Sequence, residues 1–472
     1  MRSLTLATAL FVLLSALPAQ AIIATGGGNV QDEAPAKSEA RRKAAPPPAP
    51  AAPRLDIREH TLKNGLKLLM LEDHKAPVVT FQVWYQVGSK DERPGITGVS
   101  HLLEHMMFQG AKKYGTGQFD QILTRNGAEN NAFTSEDYTA YYEVLASDRL
   151  ELAFDLEADR MMGALIPAEK LKSEKEVVKE ERRWRTENSP IGAVWEYLSA
   201  FAYIAHPYHW PVVGWMSDLE AMTHEQVVDY YRTYYRPDNA TVVIVGDFET
   251  ATAISLAERY FGPLEARGSF PRNPTQEPPQ NGERRAEIIK EVETPVVMAA
   301  YKAPKAGHPD LDALDVLDTI LSSGESSRFY QSLVYRGRLA QQVGSGFSEG
   351  KDGSLFYLYA MPMPGKTLAE VEAAMYAEVA RMAETPVSDR ELQKALNVAE
   401  AGFIFDQQSS SDLATTLGTR ASLTRAEDVN TYLARLRAVT KADIQRVARQ
   451  YLVRPNRTVV TMHSGKEAPN AR

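Results

Sequence analysis

The sequence predicts an α+β protein of two homologous domains, each a mainly antiparallel sheet packed with helices. Two observations carry that expectation. β-rich runs stand at both ends of each half with helical stretches between them. The halves also repeat one another: Pro77-Val78-Val79 recurs as Pro295-Val296-Val297 (295 − 77 = 218), and the run from Arg236-Pro237 to Val243 recurs as Arg454-Pro455 to Val460 (455 − 237 = 218). In both copies the second run follows a helix opened by a threonine, Thr223 or Thr440. The same spacing at the two ends of each half points to a duplicated unit.

Taken in order, residues 1–21 read as a secretory signal: Arg2 gives a positive start, Leu6 to Leu17 an apolar stretch, and Ala19-Gln20-Ala21 a small-residue cleavage site. The stretch is short for a membrane span, so the expectation is an exported, periplasmic protein with no stable span after cleavage; an uncleaved N-terminal anchor is the alternative. Residues 22–53 are rich in Ala, Pro and charge and read as a disordered tether. The first domain is placed at 54–266 and the second at 286–472. Between them, 267–285 carries Pro271, Pro274, Pro278 and Pro279 and reads as a linker. Val78 to Val87 and Thr241 to Val245 are strands by composition; Met222 to Tyr235 and Leu311 to Leu321 are helices by period. The net charge of −8 argues against nucleic-acid binding, and the absence of cysteine excludes disulfides, thiolate metal sites and thiol catalysis.

The chemistry concentrates in His101-Leu102-Leu103-Glu104-His105. Histidines four apart on a helix share a face, and a carboxylate between them completes the inverse of the commoner H-E-x-x-H order of zinc hydrolases. The helix is expected between Pro94-Gly95 and Gly110 and is apolar nearly all round, so the pair lies inside a domain; two satisfied core histidines are the bland alternative. A second helix, Lys170 to Glu187, shows the stripe Leu171, Glu174, Val177, Val178, Glu181, Trp184, with Lys172, Lys175, Glu176, Lys179, Glu180, Arg182 and Arg183 read as a solvated face. Burying Glu174 and Glu181 is costly unless a cation meets them. Glu181 is therefore read as the third ligand of one zinc ion per chain, beside His101 and His105, and Glu174, two turns earlier, as its supporting hydrogen-bond partner. A buried ion pair with an arginine is the alternative. Three protein ligands leave a position for water, and Glu104 is placed to act as general base. Manganese or cobalt would suit the same donors.

These residues resemble the pitrilysin/insulinase family of zinc peptidases, the inverzincins, over nearly all of Leu55 to Met462. The family's ligand glutamate lies about 76 residues beyond the second histidine, and here 181 − 105 = 76; its upstream glutamate, seven earlier, falls on Glu174. By residues alone, Asn131-Ala132-Phe133-Thr134 is a polar turn entering a β-prone run. The resemblance makes Asn131, Ala132 and Phe133 part of an edge strand that accepts substrate backbone. His206-Pro207-Tyr208, Pro211 to Gly214, Arg328 and Tyr330 are taken as structural. The implied fold is half a clam-shell, and the implied activity is a zinc metalloendopeptidase hydrolysing extended or unfolded peptides in a closed chamber. At offset 218, His101 and His105 fall on Thr319 and Ser323, so the second domain lacks a metal site. A two-domain chain is similar to mitochondrial processing peptidase subunits and short bacterial relatives. That implies a dimer, with a related subunit lacking the zinc motif as the expected partner. The family's Arg/Tyr pair would fall near Leu355 and Pro362, neither of which is Arg or Tyr. Such a partner would then supply the pair. The remaining alternatives are a subunit inactive alone and a non-proteolytic scaffold.

Overall fold

The structure, a computed structural model, describes residues 54–465 of the chain. The signal and the tether expected at 1–53 lie outside the described residues.

The first half begins with strands β1 (Arg58–Thr61), β2 (Lys67–Glu72) and β3 (Val78–Tyr85), followed by helices α1 (Val99–Met106) and α2 (Gln118–Arg125). The hairpin β4 (Glu129–Thr134) and β5 (Thr139–Ala146) leads into α3 (Leu150–Gly163), α4 (Ala168–Arg182), α5 (Pro190–Ala202), α6 (Met216–Ala221) and α7 (His224–Tyr234). Strand β6 (Ala240–Gly246) and α8 (Thr250–Tyr260) close this half. The second half runs β7 (Arg284–Ile289), β8 (Val296–Ala303), α9 (Asp310–Ser322), β9 (Ala340–Ser348), β10 (Ser354–Pro362), α10 (Leu368–Glu384), α11 (Asp389–Phe405), α12 (Ser410–Leu423), α13 (Val429–Ala438), α14 (Lys441–Tyr451) and β11 (Arg457–His463).

The duplication is visible in the sheets. The first has strand order β1-β2-β6-β3-β5-β4 and the second β7-β11-β8-β10-β9, so five strands correspond one to one. Each sheet is antiparallel except for one parallel pair, β2 with β6 and β7 with β11. Strands β3 and β8 sit 218 residues apart at both ends, as the repeated Pro-Val-Val requires. Helices α7 and α14 both start from a threonine capping box, Thr223 with Gln226 and Thr440 with Asp443, which satisfies two otherwise orphaned backbone N–H groups in each copy.

The halves exchange helices. Helix α5 of the first half lays Val194, Leu198 and Ala202 on the second sheet against Val296, Met298, Tyr357 and Val460. Helix α12, its counterpart in the repeat, covers the first sheet. That contact includes polar pairs: Thr80, Gln82 and Gln86 of the β3 segment hydrogen-bond Ser410, Thr415 and Ser422 at 2.9, 3.1 and 2.9 Å. Strand geometry sends alternate residues to opposite faces, so Val79, Phe81, Val83 and Tyr85 of the same strand enter the first domain's own core.

Residues 265–283 form no helix or strand, and β7 begins at Arg284, inside the stretch read as linker. This segment is nonetheless anchored. Glu277 accepts hydrogen bonds from the backbone N–H groups of Ile204, Ala205 and His206 and pairs with Lys302 at 2.6 Å. Among the described residues no helix is long and apolar enough to cross a membrane.

Candidate metal centre

Helix α1 carries the motif, and its position is set from its N-terminus. Gly98 sits at φ +87°, in the left-handed region, where a side chain is strained. The buried carboxylate of Glu92 accepts from the N–H groups of Gly98 (2.7 Å) and Ser100 (2.8 Å), meeting donors that a helix start leaves unpaired. Asp218 accepts from Gly95 and Thr97 just upstream. Val99, Leu102, Leu103 and Met106 are buried in the first core.

That anchoring aims His101 and His105 at α4. Their rings are 4.9 Å apart, and Glu181 Oε2 lies 3.6 Å from His101 Nε2 and 3.4 Å from His105 Nε2. One donor atom from each residue falls within 4.8 Å of the other two. Tetrahedral ligands at metal–ligand distances near 2.1 Å stand about 3.4 Å from one another. The donor set therefore has both the chemistry and the spacing that zinc needs. Charge points the same way: the carboxylates of Glu104, Glu174 and Glu181 crowd the two histidines, with the guanidinium of Arg185 paired to Glu181, so the cluster favours a cation between them.

The supporting contacts are specific. Glu174 Oε2 lies 3.3 Å from His105 Nδ1, while Gln109 Nε2 donates to Glu174 Oε1 at 3.1 Å. This is the carboxylate–histidine arrangement that fixes the ring and presents Nε2 as a ligand. Arg185 pairs with Glu181 Oε1 at 2.7 Å, leaving Oε2 to face the histidines. His101 Nδ1 is buried with no hydrogen-bond partner among the described residues. Thr134, at the end of β4, donates its hydroxyl to Glu104 Oε2.

Burial pushes the His101 imidazole down to about 3, with His105 acting in the same direction, so the ring is neutral and ligand-competent. Burial also acts to lower His105, but the carboxylates of Glu174 and Glu181 outweigh it and raise it to about 10. For Glu181 burial acts upward, and His105, His101 and Arg185 overcome it, holding the carboxyl at about 2. Glu104 is raised by burial against the opposing pull of His105 and Thr134. A divalent ion bound here would take the place of the proton on His105.

The structure brings His101, Glu104, His105, Glu174 and Glu181 close together and places Asn131, Ala132 and Phe133 on β4, the outer strand of the first sheet. Three expectations for α4 are corrected. Val177 and Trp184 are 50% and 57% exposed, so the glutamates do not lie on a continuous apolar stripe. The buried stripe is Leu171, Val178 and Arg182, while Glu174 and Glu181 flank it and face α1. Arg182 is not a solvated charge: it is buried because Glu196 (2.8 Å) and the carbonyl of Gly214 (2.8 Å) meet its guanidinium. Beyond Arg182 the helix loosens into a π-helical turn, Arg183–Glu187, which carries Arg185 back over the site. Arg185, Gln109 and Thr134 were missed by the sequence reading. The i, i+4 spacing of Glu181 and Arg185 was a usable signal; nothing local marks Thr134.

Comparison with known proteins gives the family. Residues 67–214 match the family described as Insulinase (Peptidase family M16), and residues 221–398 match its companion, the Peptidase M16 inactive domain. Zinc protease PqqE of Helicobacter pylori is 33% identical over 404 residues, covering 85% of this chain and 91% of that protein. The chain belongs to the insulinase family of metallopeptidases, peptidase family M16. The crystal structure of a protease from Helicobacter pylori superposes on this M16 chain with a TM-score of 0.84 at 32% identity, covering 87% of this chain and 99% of that one. The probable mitochondrial-processing peptidase subunit beta of Arabidopsis thaliana is 24% identical over 409 residues, covering 84% of this chain and 76% of that protein. Zinc is the metal named for the bacterial relatives, and the donor set here suits it.

Proposed function

We propose that this M16 chain is a zinc metalloendopeptidase for extended or unfolded peptides, with His101, His105 and Glu181 as metal ligands and Glu104 as general base. The observation that carries the reading is the convergence of the three ligand atoms beside Glu104, whose carboxylate is tied to the end of an edge strand. When bound, zinc would supply an acidified water and Lewis-acid polarisation of the scissile carbonyl. Glu104 would accept the proton of that water and pass it to the leaving amine. Asn131, Ala132 and Phe133 present the free edge of β4, which would pair with substrate backbone and hold it extended. Glu174 would keep His105 oriented, and Arg185 would keep Glu181 Oε2 forward.

Replacing Glu104 with Gln tests the assignment. The variant should retain about one zinc per chain by metal analysis yet lose cleavage of an unstructured peptide; turnover at the wild-type rate would remove Glu104 from the mechanism.

A second reading concerns assembly. Leu355 is buried against α5, and neither it nor Pro362 supplies the Arg/Tyr pair expected from an opposite half. This supports a dimer, with a related subunit lacking the zinc motif as the partner that completes a closed chamber. Activity of the isolated chain equal to that of the chain with such a partner would refute it. The apolar leader and Ala19-Gln20-Ala21 support export to the periplasm, and cell fractionation would test that.

A further inference from the structure

We infer that Thr134 is a positioning residue for the general base: its hydroxyl fixes which oxygen of Glu104 faces the reacting water. The inference rests on the base role proposed above for Glu104. An ionised carboxylate has no proton to give, so in the contact between Thr134 Oγ1 and Glu104 Oε2 the hydroxyl is the donor. That bond occupies Oε2 and leaves Oε1 to receive a proton. It also removes rotational freedom, since a base that swings must reorder before each turnover.

The donor is itself rigid. Thr134 is only 6% exposed and stands opposite Thr139 at the closed end of the β4–β5 hairpin. The hairpin turn is held by the Ser135 N–H bonding the carbonyl of Tyr138 at 2.8 Å, and the Thr139 hydroxyl donates to the carbonyl of Val87 at 3.0 Å. Strand β4 therefore has two tasks in the proposed reaction. Its outer edge would set the register of the peptide, and its last side chain sets the bearing of the base. One inflexible element positions both reactants, so neither depends on a mobile loop.

The test uses two substitutions, assayed in whichever assembly of the chain cleaves peptide. Thr134→Val keeps nearly the same volume but cannot donate; Thr134→Ser keeps the donor. Val should lower kcat about 10- to 100-fold, the usual loss when such a partner is removed. KM for an unstructured peptide, zinc content and melting temperature should stay at wild-type values, and Ser should recover most of kcat. Wild-type kcat in the Val variant would overturn the inference. So would a loss accompanied by raised KM or missing zinc, since that would make Thr134 a support of the strand. Failure of the base role itself reads differently: Glu104→Gln would then remain active.

Discussion

Gly98 and Gly214 meet backbone to backbone: a β-carbon on Gly98 would overlap the carbonyl oxygen of Val213, and one on Gly214 would overlap that of Thr97. Both have positive φ, +87° and +80°. The Gly214 carbonyl also accepts from Arg182. The contact thus joins the start of α1, with its histidines, to the end of α4, with Glu181. Replacing either glycine with alanine combines an unfavourable backbone region with a steric clash. We expect Gly98→Ala and Gly214→Ala to be destabilised by about 1–3 kcal/mol and to copurify with less zinc, measured by thermal melting and metal analysis. Wild-type zinc content in both would show that the contact does not set the ligand spacing.

Glu174 is expected to matter through His105. Glu174→Ala leaves His105 Nδ1 without its carboxylate and Gln109 without its acceptor. Zinc affinity, read by competition with a chelator, should fall about 10- to 100-fold. A matched drop in activity at low zinc should be relieved by added metal.

Removing the ion should cost stability only where the ligands are intact. A ligand at about a thousand times its Kd stabilises the folded state by about 4 kcal/mol. Chelation should therefore lower the melting temperature of the wild type, while Glu181→Gln should already melt lower and respond little. Equal responses in the two proteins would argue that the metal binds elsewhere.

Glu277 ties the linker to both halves and gives a pH signature. Burial acts to raise its carboxyl, but Lys302 and three backbone N–H groups hold it at about 2, against an ordinary value of 4.5. The folded state thus prefers the ionised form. The resulting stability is fully present above pH 4.5 and is lost as pH falls through 4.5 towards 2. Glu277→Gln should be about 1.5–3 kcal/mol less stable than wild type at pH 7, the range expected for hydrogen bonds to a charged group, and the gap should close on acidification. Denaturant melts across that range check both sign and window.

The exchanged helix α12 depends on a glycine. Gly418 lies against the indole of Trp84, which is fully buried, and a β-carbon there would overlap the ring. Gly418→Ala should cost about 1–3 kcal/mol by overpacking. The loss should register in the first half, as a change in Trp84 fluorescence, although the substitution lies in the second.

Much of this protein was legible in its sequence because the signals are local or periodic. The i, i+4 histidines with Glu104, the 218-residue repeat and the threonine caps of α7 and α14 depend only on helix geometry and short-range hydrogen bonding. The seven-residue spacing of Glu174 and Glu181 likewise placed both on one side of α4. Arg182 and Trp184 show where such reading stops. Hydropathy expects the arginine outside and the tryptophan inside, but a charge can be buried when a distant carboxylate and carbonyl meet it, and those partners, Glu196 and Gly214, come from elsewhere in the chain. The sequence by itself determined the fold class, the duplication and which residues are candidates to bind metal. Only the tertiary structure decided how they meet: the Gly98–Gly214 contact that joins the start of α1 to the end of α4, the π-helical turn that returns Arg185 to Glu181, the Thr134 hydroxyl on Glu104 and the exchange of α5 and α12. These are contacts between segments far apart in the chain, and their energies come from close packing and paired burial of charge, which no periodicity encodes.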